Sequence, residues 1–312
     1  MTLHTLEPER RTLHGHFSRA LPPALTIDPG DSVILRTLDS GWGLEPHHRD
    51  GSPRRRFGPL QPDQDTGHAL CGPIAIRGAE PGMTLAVHID EIRAGTFGAT
   101  FVGAWEHPVN QRLGLADREL ALLWDLDPER LTGRNQFGHI LALRPFLGVM
   151  GLPPAEPGRH STIPPRATGG NLDCKELVAG STLYLPIAVP GALFSAGDGH
   201  AVQGDGEVCV TAIECPLERV RLTFELRPDL RLKAPRAHTP AGWLTFGLHA
   251  DLNEAAYLAL EGMLDLLAEL HGLERVQALA LASLVVDLRI TQIVNEVRGV
   301  HAVLPPGALQ IQ

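Results

Sequence analysis

Polar and apolar residues alternate with period two over much of this chain. Residues 219–226 set Val220, Leu222, Phe224 and Leu226 against polar partners, which predicts a half-buried strand. Two early segments share one pattern: Asp28-Pro29-Gly30-Asp31 leads into a β-favouring run at 32–37, and Glu80-Pro81-Gly82-Met83 leads into another at 84–89. In each turn Pro fixes φ at the second position and Gly accepts a positive φ at the third. Residues 140–147, 181–189 and 207–214 read as further strands, whereas 115–135, with 117–126 rich in Leu, Ala and Glu, is more helical in tendency. The stretch 151–170 contains Pro153-Pro154 and Pro164-Pro165 and predicts a long ordered loop or lid.

The period changes in the last third. Residues 253–270 place Ala256, Leu260, Met263, Leu264 and Leu267 at helical spacing, with Asn253 as the expected cap and His271-Gly272 as the stop. A second helix follows at 274–284 and a strand at 285–294. The expected architecture is mainly β with added α/β elements: a β-sandwich or barrel-like body with a C-terminal helical hairpin at about 253–285. Residues 1–150 and 151–312 would form the two halves of one compact unit.

Composition agrees with this reading. Gly 33 and Pro 26 discourage helix across 312 residues, and 43% hydrophobic content suffices for a large core. The formal charge of −9 argues against a nucleic-acid partner and suits a cation. Arg54-Arg55-Arg56 is a short basic run in a Gly/Pro-flanked loop. The start of the chain has no apolar signal-like run, and the apolar stretch 276–286 is too short to span a bilayer. A soluble, cytoplasmic protein with reduced Cys71, Cys174, Cys209 and Cys215 is therefore expected.

The densest chemistry lies at 197–207, Gly-Asp-Gly-His-Ala-Val-Gln-Gly-Asp-Gly-Glu. A hairpin turning at Val202-Gln203 would set His200 opposite Asp205 and Asp198 opposite Glu207, with all four side chains on one face. Carboxylates so close repel unless a cation neutralises them, and a His with two or three carboxylates can hold zinc, manganese or iron. The plain alternative is a solvent-exposed Gly/Asp turn that binds calcium. Asn171 and Asp173 form a second cluster, either metal- or amide-facing or an Asx-capped turn. Asp39, before the Gly41-Trp42-Gly43 bend, is a third candidate. His47 and His48 read as surface residues and His88 as a strand-face residue. Cys174, Lys175 and Glu176 are adjacent and cannot all face one carbonyl, which speaks against a cysteine nucleophile.

Several longer stretches resemble the acetamidase/formamidase family. Residues 72–82, Gly-Pro-Ile-Ala-Ile-Arg-Gly-Ala-Glu-Pro-Gly, are similar to its GP-[IV]-x-[IV]-x-GAEPGD signature, with Met83 in place of the final Asp. Arg144 to Gly151, Gly169 to Lys175, Gly191 to Glu207 and Gly299 to Pro305 follow in the family's order. The resemblance implies a β-sandwich body, hydrolysis of short-chain amides to acid and ammonia, a divalent metal and homo-oligomers. Asp39, Asn171, Asp173, His200, Asp205 and Glu207 match the family's polar motif positions, and position 174 is Thr in the family motif. The segment around Asp39 and the short loop before Cys71 depart from the family, which bears on the pocket.

The expected mechanism is metal-assisted amide hydrolysis. Asp39, Asp173 and His200 hold the metal, zinc foremost with manganese, iron or calcium as alternatives. Glu207 or Asp205 is the general base, Asn171 binds the substrate amide and Trp42 walls a small pocket. Two rival readings differ in kind. A cupin-like metal enzyme would run another reaction, although Asp198 stands where the cupin His-x-His pair needs its first His. A non-catalytic β-sandwich binding module would use 198–207 as a structural calcium loop.

Overall fold

The computed structural model of the protein describes residues 1–103 and 105–310. Alternating apolar positions build a nine-stranded mixed sheet in the order Leu3–Leu6, Ser32–Leu35, Leu217–Arg227, Thr84–Ala94, Ser181–Pro186, Arg236–Thr239, Gly242–His249, Arg298–Leu304 and Asp287–Gln292. A six-stranded sheet runs Gly169–Asn171, Phe146–Gly151, Phe194–His200, Leu70–Ile76 and Leu13–His14, with Leu25–Ile27 pairing parallel to Leu70–Ile76. Both Pro-Gly turns precede strands of the large sheet, as the sequence predicts.

The two sheets share one core. Val87, Leu185, Val220 and Phe224 of the large sheet pack with Ile74, Leu147 and Phe194 of the six-stranded sheet. Phe194 and Phe224 meet edge to face with ring centroids 5.1 Å apart. Each such fully buried side chain contributes roughly 1.5–3 kcal/mol relative to an exposed one. This is the sandwich expected from the sequence.

The helical hairpin is also present, as α2 (Leu252–His271) and α3 (Arg275–Val285), after a single-turn α1 (Pro108–Arg112). Ala255, Ala259, Met263, Leu266 and Leu267 of α2 bury against Val300, Ala302 and Leu304, the face of that strand turned away from the sandwich core. Gly247 lets α2 approach, because a Cβ there would lie 1.8 Å from the Ala255 carbonyl oxygen. The cap of α2 is Asp251 rather than Asn253: its Oδ1 accepts from the backbone N–H of Asn253 at 2.8 Å and of Glu254 at 3.2 Å.

Two other expectations are corrected. The segment 117–126 is not helical. Residues Leu120–Asp127 form a strand between Phe97–Val102 and Thr132–Asn135 in a four-stranded sheet completed by Ile140–Ala142. Nor is 207–214 a strand. It belongs to an irregular segment that leaves the strand Phe194–His200 and returns only at Glu214, which bridges His200 on one side and Ala99 on the other.

Candidate metal centre

The site forms where three strands of the six-stranded sheet end together. Phe146 lies opposite His200, Leu147 opposite Gly199, and Val149 opposite Asn171. Between them Gly148 has no side chain. A Cβ at that position would lie 2.6 Å from Asp198 Oδ2, 2.8 Å from Asp173 Oδ1 and 2.8 Å from His200 Cε1. The glycine thus forms the floor on which these three side chains converge.

Asp173, Asp198 and His200 offer ligand atoms within 4.8 Å of one another, and so do His200, Glu207 and Glu214. All five residues are buried. His200 Nε2 lies 3.4 Å from Asp198 Oδ2 and 3.2 Å from Glu214 Oε1. Its other ring nitrogen, Nδ1, is 3.0 Å from Gln203 Oε1, and Gln203 Nε2 donates to the Asp173 carbonyl oxygen at 2.7 Å. Gln203 therefore aims Nε2 at the carboxylates. Asn295 Nδ2 donates to Asp173 Oδ2 at 2.6 Å and reaches Glu207 Oε2 at 3.4 Å.

The backbone is unusual at three of these acids. Asp173, Asp198 and Glu207 have φ of 47°, 57° and 46°, in the left-handed region that L residues avoid. Asp198 departs from extended geometry inside its own strand, with Gly197 and Gly199 as neighbours. Glu207 is brought in by the 201–216 segment, whose Gly206 N–H donates to the Thr291 carbonyl at 3.0 Å.

The electrostatics are those of crowded, buried acids. Burial pushes Asp173 up to about 8, helped by the charges of Asp198 and Glu214 and opposed by His200. Burial and the Asp173 charge raise Glu207, and burial likewise raises Glu214. For Asp198, burial is outweighed by the His200 and His68 charges, which hold it below the usual carboxylate range. For His200, burial is outweighed by Glu214 and Asp198, which raise it. One imidazole facing four buried carboxylates cannot neutralise them all, so the group must take up protons or a cation. Asp173 Oδ1, Asp198 Oδ1 and Asn171 Oδ1 are buried with no hydrogen-bond partner among the described residues. Such orphaned oxygens, with the Gly148 floor, fit a divalent cation.

The structure brings Asp173, His200 and Glu207 together and adds Asp198 and Glu214. It leaves Asp39, Asp205 and Trp42 outside this group. Asp39 lies in the wall of the adjoining cavity, but Arg54 takes both its oxygens and the Gly43 N–H donates to Oδ1 at 2.8 Å. Asp205 pairs with Lys175 Nζ at 2.8 Å and is half-buried. The turn at Val202-Gln203 does not form, so the partner that returns to His200 is Glu214 rather than Asp205. Trp42 is buried in the core, donating from Nε1 to the Gly67 carbonyl at 2.8 Å and packing on Phe57. Asn171 lines the cavity. Its Nδ2 donates to the Ile163 carbonyl at 3.1 Å, which leaves Oδ1 as a free acceptor.

Sequence reasoning missed Glu214 and His68. His68 lines the same cavity, bonded through Nδ1 to Thr162 Oγ1 at 2.8 Å, and its charge acts on Asp198. The available signal was its position just before the strand Leu70–Ile76 that carries the Gly72-Pro73 motif.

Known proteins share this arrangement of strands and helices. The acetamidase from Yersinia enterocolitica superposes with a TM-score of 0.82 at 26% identity, over 99% of this chain and 93% of that one. A Schizosaccharomyces pombe protein provisionally named as a formamidase is 28% identical over 316 residues, 81% of this chain and 73% of its own length. The acetamidase of Mycolicibacterium smegmatis is 27% identical over 252 residues, 62% of this chain and 61% of its own length. A profile of the acetamidase/formamidase family matches residues 3–161 and 155–309. With nearly the whole length matched and the fold in agreement, the chain belongs to the acetamidase/formamidase family.

Proposed function

We propose that this protein hydrolyses a linear primary carboxamide to a carboxylic acid and ammonia at a divalent metal held by Asp173, Asp198, His200 and Glu214, with Glu207 beside it as the general base. The observation that carries this reading is the convergence of four buried carboxylates on one imidazole, with Asp173 Oδ1 and Asp198 Oδ1 lacking a hydrogen-bond partner among the described residues. Family membership supplies the reaction class. The names of the relatives make formamide and acetamide the first substrates to try.

A divalent cation held there would supply Lewis-acid chemistry, making a water more acidic and polarising the amide oxygen. Asn171 Oδ1 accepts from the amide NH2 group, a donor that the product acid lacks, and so favours substrate over product. Burial and the Asp173 charge raise the proton affinity of the Glu207 carboxylate. In this reading its carboxylate would take the proton from the attacking water and return it to the departing nitrogen. Asn295 and Gln203 hold Glu207, Asp173 and His200 in register for this transfer. Zinc and manganese both suit a set of oxygens with one imidazole.

The deciding experiment is elemental analysis of the purified protein beside an ammonia-release assay. Bound metal near one equivalent is expected, with activity lost on chelation and restored by zinc or manganese. Full turnover of acetamide by thoroughly chelated, metal-free protein would remove the metal from the mechanism.

Copies of the chain associate in this reading as well. Val276, Leu279 and Leu284 of α3 and Leu288 and Ile290 of the following edge strand are 70%, 48%, 79%, 49% and 43% exposed. An uncovered edge bearing apolar side chains favours a second copy. Sedimentation velocity should show an oligomer that Leu284→Glu weakens; a monomer at micromolar concentration would dismiss it.

A further inference from the structure

The cavity lined by Asn171, Asp198, Glu207 and Glu214 is much larger than a short amide needs. Its volume is about 1160 Å³, slightly above the ~300–1000 Å³ of pockets that take drug-sized ligands. Acetamide occupies roughly 120 Å³, on the order of four waters at about 30 Å³ each.

Most of the surface beyond the carboxylates is apolar, with Arg56, Arg112 and Arg298 also on its border. Phe97, Phe101, Trp105, Val109, Val208 and Val210 line it. They come from three separate places: the strand Phe97–Val102, the connection through α1, and the segment that follows Glu207. Val208 is 61% exposed and Trp105 37% exposed, so apolar side chains stand in water beside the polar centre. Val208 directly follows Glu207, so the apolar wall begins at the acidic group itself. His107 Nε2 sits 3.1 Å from the Val294 carbonyl and ties the α1 connection across to the loop that carries Asn295. The wall is therefore held in place relative to the carboxylates.

We infer that the preferred substrates are primary carboxamides with a long alkyl or arylalkyl acyl group, the chain lying on the wall of Phe97, Phe101, Val208 and Val210 while the amide meets Asn171. This inference rests on the amide-hydrolysis reading and specifies its substrate class. Formamide and acetamide then engage only the polar end.

The test is ammonia release from formamide, acetamide, butanamide, hexanamide and 3-phenylpropanamide by the protein as purified with its metal. The ratio kcat/KM should climb about fourfold per added methylene from acetamide to hexanamide, mainly through KM, as each methylene leaves water. Phe101→Asp should lower the hexanamide-to-acetamide ratio of kcat/KM more than tenfold. Val208→Asp, at a more exposed position that tolerates a charge, should do the same. Turnover of acetamide with a flat or falling series, or variant ratios unchanged from the parent, would overturn the inference and leave the amidase reading standing. Ammonia from none of the amides would overturn both.

Discussion

Two aspartates seven residues apart show how little proximity in sequence says about role. Asp198 is buried with one oxygen unpartnered at the converging group, whereas Asp205 is half-buried against Lys175. Asp198→Asn should strip the metal and lower kcat/KM at least 100-fold, since a neutral amide cannot balance a divalent charge. Asp205→Asn should keep the metal, because its carboxylate answers Lys175 Nζ at 2.8 Å rather than the converging group. Elemental analysis and steady-state kinetics on both variants check this, and a metal-free Asp205→Asn protein would contradict the assignment. Asp173, His200 and Glu207 were legible as polar positions in Gly-rich motifs. Glu214 was not, because it arrives after a long irregular excursion that no local pattern encodes. The assumed two-residue turn gave its place to Asp205 instead.

Among the elements, those whose pattern agrees with their own burial were legible. The strand Leu217–Arg227 and the helix α2 follow from period two and period 3.6 respectively. Leu120–Asp127 was not legible, because its Leu-rich run, following Asp117-Arg118-Glu119, favours helix. Pairing with Phe97–Val102 and burial of Trp124 and Leu126 override that preference. The seat of α2 gives a test of the packing. Gly247→Ala would press a methyl into the Ala255 carbonyl and should destabilise the protein by roughly 1–3 kcal/mol. Thermal unfolding should show a lower Tm with activity per folded molecule retained, since α2 lies on the far face of the large sheet from the sandwich core. An unchanged Tm would mean that the helix is free to move aside.

For the whole molecule, stability should depend on pH through histidines whose burial outweighs the nearby carboxylates, Asp65 for His14 and Asp205 and Glu176 for His301. Burial lowers His14 to about 4, and it lowers His301 to about 4 as well. His14 sits between the His16 carbonyl at 2.7 Å and Ser195 Oγ at 3.0 Å. Unfolded, such a histidine takes its proton near pH 6.5. Between pH 6.5 and 4 the unfolded chain therefore binds more protons, and stability falls as pH falls, by about 1.4 kcal/mol per pH unit for each histidine. Above pH 6.5 the stabilisation is fully present. Denaturant unfolding across this window should show the slope, and His14→Gln should reduce it; an identical slope in the variant would exclude His14 as a source. The general architecture, a β body with a helical pair at its end, was legible from periodicity and turn chemistry. The meeting of three strand ends around Gly148 was not, because it depends on which strands become neighbours.

The left-handed backbone at Asp173, Asp198 and Glu207 sets this protein against its own thermal robustness. Glycine at any of the three would relax the chain locally by about 1 kcal/mol. A laboratory selection for heat tolerance alone should therefore drift toward glycine at these positions. The survivors would melt later and turn over nothing, a trade in which durability is gained by erasing the chemistry.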